Sequence, residues 1–171
     1  MRRPSGRAES YEEGHADLPA YVYGRHHGRM TILRIDHVGI AVPDLDRAIE
    51  FYAATFGIRS VHEETNAEQG VREAMLAVGD GTTRIQLLAP LDENSTIAKF
   101  IGRNGAGLQQ LAYTVDDIEA TSAELRAKGL RLLYDEPRRG TADSRINFIH
   151  PKDAGGVLIE LVEPAVTDPI V

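Results

Sequence analysis

The strongest constraint on this chain is that its pattern is written twice. Residues 35–46, IDHVGIAVPDLD, and residues 108–119, LQQLAYTVDDIE, share an alternating run that leads into an acidic helix start. His37 and Gln110 each stand five residues ahead of a valine. Downstream, RIQLLAP around Gln86 matches LIELVEP around Glu160, with an offset of 73 residues at the first pair and 74 at the second. A near-constant offset means one strand-and-helix unit used twice. Two such copies, related by a pseudo-twofold, bring His37, Gln86, Gln110 and Glu160 to equivalent places around one concavity.

The punctuation of the chain gives the unit its parts. Pro43 ends a strand, Asp44 is an N-cap, and Gly57 closes the helix between them at about Phe56. Strands are expected at roughly 58–65, 71–78 and 82–89, which completes a βαβββ module. A short helix, STIAKFIGR, links this module to the second. There the helix spans roughly 117–128 and ends at Gly129, with strands near 130–134, 144–150 and 156–163. The segment EPRRGTAD is expected to be a long loop turning at Pro137 and Gly140. The fold class is therefore α+β: two tandem βαβββ modules, about 33–90 and 107–164, forming a cupped mixed sheet with helices outside.

Period-2 alternation assigns the faces. Val38, Ile40 and Val42 oppose His37, Gly39 and Ala41, as Leu111, Tyr113 and Val115 oppose Gln110, Ala112 and Thr114. The apolar face is expected to carry the helices, and Gly39, Ala41 and Ala112 to leave room for a ligand. Residues 1–30 mix Gly, Pro, His and both charges without an apolar period, which reads as a disordered extension before a domain at 31–171. Met30, directly before the first strand, is a candidate start.

Composition narrows the partners. A net charge of −7 and a pI near 5.3 argue against nucleic acid, whose phosphates need a basic surface. The chain has no cysteine, so disulfides, thiolate zinc sites and cysteine nucleophiles are excluded, in keeping with a cytoplasmic protein. No apolar run approaches the roughly 18 residues of a membrane span. The expected partner is a small molecule.

An isolated strand histidine is ordinarily a surface or core residue; the repeat makes His37 a candidate ligand. Glu160 lies within VLIELVE, where burying a carboxylate is costly without a counter-charge or metal. His37, Gln86, Gln110 and Glu160 are therefore expected to form a metal site. Glu73, on a neighbouring strand, is either a solvated residue or a second functional carboxylate. Asp44, Asp46, Asp116 and Asp117 are read as helix-start residues.

The stretches HVGIAVPDLDRAIEFY, EQGVREAML, IQLLAPL, STIAKF and RLLYDEPRRGTADSRINFIHPKDAGGVLIELVEP resemble the methylmalonyl-CoA epimerase family of the vicinal-oxygen-chelate superfamily, over about residues 34–164. The resemblance implies a divalent ion, cobalt by family habit with manganese, magnesium or zinc as alternatives, on His37, Gln86, Gln110 and Glu160. It implies that Glu73 and Glu160 exchange protons with methylmalonyl-CoA, interconverting its R and S forms by 1,1-proton transfer through a metal-stabilised enolate. It also implies a homodimer. The CoA portion has to extend out of the cup, where Arg138, Arg139 or Lys152 are candidates to meet its phosphates. One departure stands out: the family usually has GLHHIA where this chain has GLQQLA, so Gln110 replaces a nitrogen ligand and Gln109 its neighbour. Among rivals, a non-catalytic binder of the same fold predicts binding without exchange. A glyoxalase fits less well because that family matches a carboxylate to Gln86. A ring-cleaving dioxygenase fits least, because Gln110 removes its second histidine.

Overall fold

The computed structural model describes residues 32–166; the expected N-terminal extension lies outside them. The first module runs β1 (Ile32–Ala41), α1 (Leu45–Phe56), β2 (Arg59–Asn66), β3 (Val71–Ala77) and β4 (Arg84–Pro90). Helix α2 (Thr96–Asn104) leads to the second: β5 (Gly107–Val115), α3 (Ile118–Ala127), β6 (Arg138–Arg139), β7 (Arg145–Ile149) and β8 (Leu158–Glu163). One eight-stranded sheet has the order β2-β3-β4-β1-β5-β8-β7-β6, symmetric about its β1–β5 centre. β1 pairs parallel with β4, and β5 with β8; β1 and β5 join the halves antiparallel. This is the duplicated α+β plan that the repeat required.

The helix ends follow from local chemistry. Asp44 accepts the Arg47 N–H at 3.1 Å and Asp117 the Ala120 N–H at 2.8 Å, each satisfying an orphan donor of the first turn. Gly57 ends α1 at φ 69°, the left-handed conformation glycine adopts without a Cβ penalty. The apolar stripe of α1, including Leu45, Ala48, Ile49 and Tyr52, packs on Leu76, Leu87 and Ala74 of the outer sheet face. Ile118 and Leu125 of α3 do the same against Ile149 and Leu161. Among the described residues, no helix is long and apolar enough to cross a membrane.

Two expectations need correction. The segment 130–134 makes no ladder, only a bridge between Leu132 and Ile149. The Asn147 side chain bonds both the N–H and the C=O of Tyr134, supplying what a strand partner would. The sheet edge is instead β6, inside the segment read as loop. The helices do sit on the apolar face: Ile40 and Val42 pack with α1 and Val115 with α3, while Val38, Leu111 and Tyr113 between them are half-buried. Second, the small residues make room for protein. Ala41 packs with Val71, Leu88 and Ile97, where α2 plugs one end of the cup. Ala112 packs with Ile146, Phe148 and Val162. Gly39 lies under the Gln110 side chain, whose Cγ sits 2.4 Å from where a Cβ would be.

Candidate active site

The four duplicated residues converge. His37, Gln86, Gln110 and Glu160 are 2%, 3%, 7% and 4% exposed, so all four are removed from water. His37 Nε2 lies 3.0 Å from Glu160 Oε2 and 3.3 Å from Gln110 Nε2. The same Gln110 amide donates to Glu160 Oε2 and, at 3.2 Å, to Gln86 Oε1. One imidazole nitrogen, one carboxylate oxygen and two amide ends thus face a common point. A half-turn of the Gln110 amide would present its oxygen to that point in place of its nitrogen. A buried set of one nitrogen and three oxygen donors with a single carboxylate suits a divalent cation, so these residues fit the implied ion.

Asp36 orients the histidine, its Oδ1 accepting from His37 Nδ1 at 2.9 Å. Asp36 in turn accepts the Thr114 hydroxyl at 2.6 Å, and Thr114 accepts from Arg34 Nε at 3.0 Å. Alternation along β1 hides this partner. A β-bulge between Ile35 and Val38 shifts the register there, letting adjacent residues 36 and 37 serve one site. Burial pulls the His37 pKa down, but the Glu160 charge and the hydrogen bonds to Asp36 and Glu160 outweigh it and push it up to about 10.

Glu73 joins the cluster from β3. Its Oε2 accepts from Gln86 Nε2 at 3.0 Å and its Oε1 from the Thr141 hydroxyl at 2.8 Å. Only 3% of the residue is exposed. Burial raises its pKa to about 7, opposed by the Thr141 hydrogen bond and reinforced by the charges of Glu64 and Glu160. A buried carboxyl of that affinity can take or give a proton near neutrality.

Thr141 was not legible in the sequence. It lies in a turn of 3₁₀ helix over 141–143 and also accepts from Gln86 Nε2 at 3.0 Å. It lines both cavities that open from Glu160. The wider, about 330 Å3, is bordered by Arg34, Arg84, Val61 and Val162; the narrower, about 170 Å3, by Glu73, Gln86, Leu133 and Phe148. Arg138, Arg139 and Lys152 line neither. Arg138 stacks over Tyr134 at 4.1 Å, and Arg139 pairs with Asp143 at 2.5 Å.

Residues 36–148 match the model of the glyoxalase/bleomycin resistance protein/dioxygenase superfamily. The crystal structure of methylmalonyl-CoA epimerase from Mycobacterium tuberculosis is 62% identical, with a TM-score of 0.76 over 78% of this chain and 89% of that one. The chain belongs to the methylmalonyl-CoA epimerase family of that superfamily. A second relative of this kind, solved in complex with methylmalonyl-CoA and NH4+, is 49% identical, with a TM-score of 0.78 over 81% of this chain and 99% of that one. Mitochondrial methylmalonyl-CoA epimerase of Homo sapiens is 40% identical over 129 residues, 75% of this chain and 72% of that protein. Family membership makes this chain an enzyme, and the buried cluster is its candidate centre.

Proposed function

We propose that the protein epimerises methylmalonyl-CoA by moving a proton off and onto one carbon, with Glu73 and Glu160 as the two proton carriers. The observation that carries this reading is that two buried carboxylates, one from each module, stand at either end of the Gln86–Gln110 amide pair. The α-carbon of the substrate lies between a thioester and a carboxylate, so losing its hydrogen leaves negative charge on the thioester oxygen. One carboxylate takes the hydrogen as a proton from one face; the other, protonated, returns one to the opposite face, and the reverse reaction exchanges the roles. A divalent ion held by His37, Gln86, Gln110 and Glu160 supplies positive charge for that oxygen, and no redox chemistry is needed.

The chain's own residues do the rest. Asp36 fixes the imidazole, Thr141 and Gln86 aim Glu73, and the apolar walls of the narrower cavity keep water from quenching the carbanion. The wider cavity, with Arg34 and Arg84 on its border, takes the CoA arm. Proton NMR of methylmalonyl-CoA in heavy water, with metal-loaded protein, tests the reading. Loss of the α-hydrogen signal supports it; binding without exchange would make the protein a ligand-sequestering member of the fold.

A further inference from the structure

Thr141 reaches Glu73 from the opposite module, on a turn whose backbone is strained. Ala142 and Asp143 have φ of 53° and 59°, the left-handed region that side chains with a Cβ rarely adopt. The turn is closed internally by Gly140 N–H to Ser144 O at 2.8 Å and Ser144 N–H to Thr141 O at 3.1 Å. Neither bond ties it to the first module. Besides the Thr141 hydroxyl's own bonds to Glu73 and Gln86, the turn's backbone is tied there by Glu64 on β2, whose Oε2 accepts the Ala142 N–H at 3.0 Å across 78 residues of sequence. Glu64 is the cross-strand neighbour of Glu73, so the residue that holds the turn and the carboxylate the turn serves lie side by side. His62 Nε2 fixes the same Glu64 oxygen at 2.5 Å, and Arg139 stands 3.7 Å from the other. That other oxygen, Oε1, is buried without a hydrogen bond. A buried carboxylate oxygen that accepts no hydrogen bond is costly, and here only the Arg139 charge stands beside it to offset that cost.

We propose that Glu64 is a positioning residue: by holding the Ala142 amide it keeps the 141–143 turn docked, and with it the Thr141 hydroxyl on Glu73 and Gln86. The inference rests on Glu73 being a proton carrier. Glu64 touches no reacting atom. Its effect passes through Thr141, which sets where Oε1 of Glu73 points, and a displacement of about 1 Å at such a group costs on the order of 10²-fold in rate.

The test uses the full chain, metal-loaded, with methylmalonyl-CoA as probe. Glu64→Ala is expected to lower kcat by about 10²-fold while KM stays within about threefold. Glu64→Gln, whose amide oxygen still accepts from Ala142, recovers most of that loss. In a Thr141→Val background, Glu64→Ala adds less than about threefold, because the group it positions is gone. Equal losses in both backgrounds, or a loss confined to KM, would overturn the proposal. Should Glu64→Ala fold poorly, Glu64→Leu is compared with Glu64→Gln in the same cycle. The latch is also read without substrate: hydrogen exchange at the Ala142 amide should quicken by about tenfold in Glu64→Ala and little in Glu64→Gln. Unchanged exchange refutes the latch. Absence of α-hydrogen exchange by the unaltered protein refutes the epimerase reading instead, whatever the Ala142 amide does.

Discussion

Gly39→Ala is the smallest change that tests how the centre is built. Gly39 lies opposite Gln110 in the β1–β5 register, and the Gln110 side chain folds across it. An alanine Cβ would stand 2.4 Å from Gln110 Cγ and 3.1 Å from its Cδ, about 1 Å inside ordinary contact. The Gly39 backbone is not left-handed, so alanine is conformationally permitted and the clash alone decides the outcome. Gln110 is buried and cannot swing into water. Overpacking of this kind costs about 1–3 kcal/mol, which at roughly 2–4 °C per kcal/mol lowers Tm by about 2–12 °C. Because Gln110 is also one of the four converging donors, cobalt binding to metal-free protein, titrated calorimetrically, should weaken on the order of 10–100-fold. In a Gln110→Ala background the same substitution should be neutral or stabilising, since the obstructing atoms are gone. If Gly39→Ala remains equally destabilising there, another group limits the space. If it alters neither Tm nor cobalt affinity, Gln110 does not occupy the position from which it could hold an ion.

Three further outcomes are expected. Glu73→Gln should reduce turnover by roughly 10²–10⁴-fold, the usual cost of a lost acid–base group, without changing bound metal measured by elemental analysis; near-normal turnover would remove Glu73 from proton transfer. Gln110→His should tighten cobalt and zinc on the order of tenfold relative to manganese and magnesium, because it restores a nitrogen donor; unchanged or weaker dissociation constants would place Gln110 outside the ion's ligands. Asp153 accepts hydrogen bonds from Arg131 N, Nε and Nη2, which hold its carboxyl well below the usual range. A lowered folded pKa gives stability that is present above the unfolded value of about 3.9 and is lost as pH falls through the folded one. The Tm gap between the parent and Asp153→Asn should therefore be constant above about pH 5 and close in stronger acid; a gap that persists there would mean the side chain acts through packing.

What the sequence disclosed and what it hid divide along physical lines. Repeat offset and alternation located His37, Gln86, Gln110 and Glu160, because strand periodicity and duplication are properties of the linear chain. Asp44, Gly57 and Asp117 marked helix ends correctly, because capping is local. Asp36 was hidden by a bulge, which breaks the alternation on which the face assignment depends. Thr141 and Glu64 were hidden because their partners lie 68 and 78 residues away, across the cup. The strand expected at 130–134 failed for a related reason: its residues suit a strand, but the Asn147 side chain satisfies the Tyr134 backbone that a ladder would have used.

The duplication also shows how a symmetric cup could serve an asymmetric task. Gln86 and Glu160 are equivalent, yet only the second is charged, so the donor set has one carboxylate and it comes from the second module. The register extends the comparison. Glu73 pairs with Leu88, two residues beyond Gln86, and Ile146 pairs with Val162, two residues beyond Glu160. Ile146 therefore stands where the second module would carry its own Glu73, and it is packed with Phe148 and Ala112. Each module has one carboxylate at the cup floor where the other module has a neutral residue. The carboxylate of the first module lies beside the donor set and that of the second within it. A proton transfer that removes hydrogen from one face of a carbon and returns it to the other needs one group on each side. On the reading proposed above, two modules facing each other across a twofold, each with its carboxylate at a different position, would supply that pair without placing like charges at equivalent points.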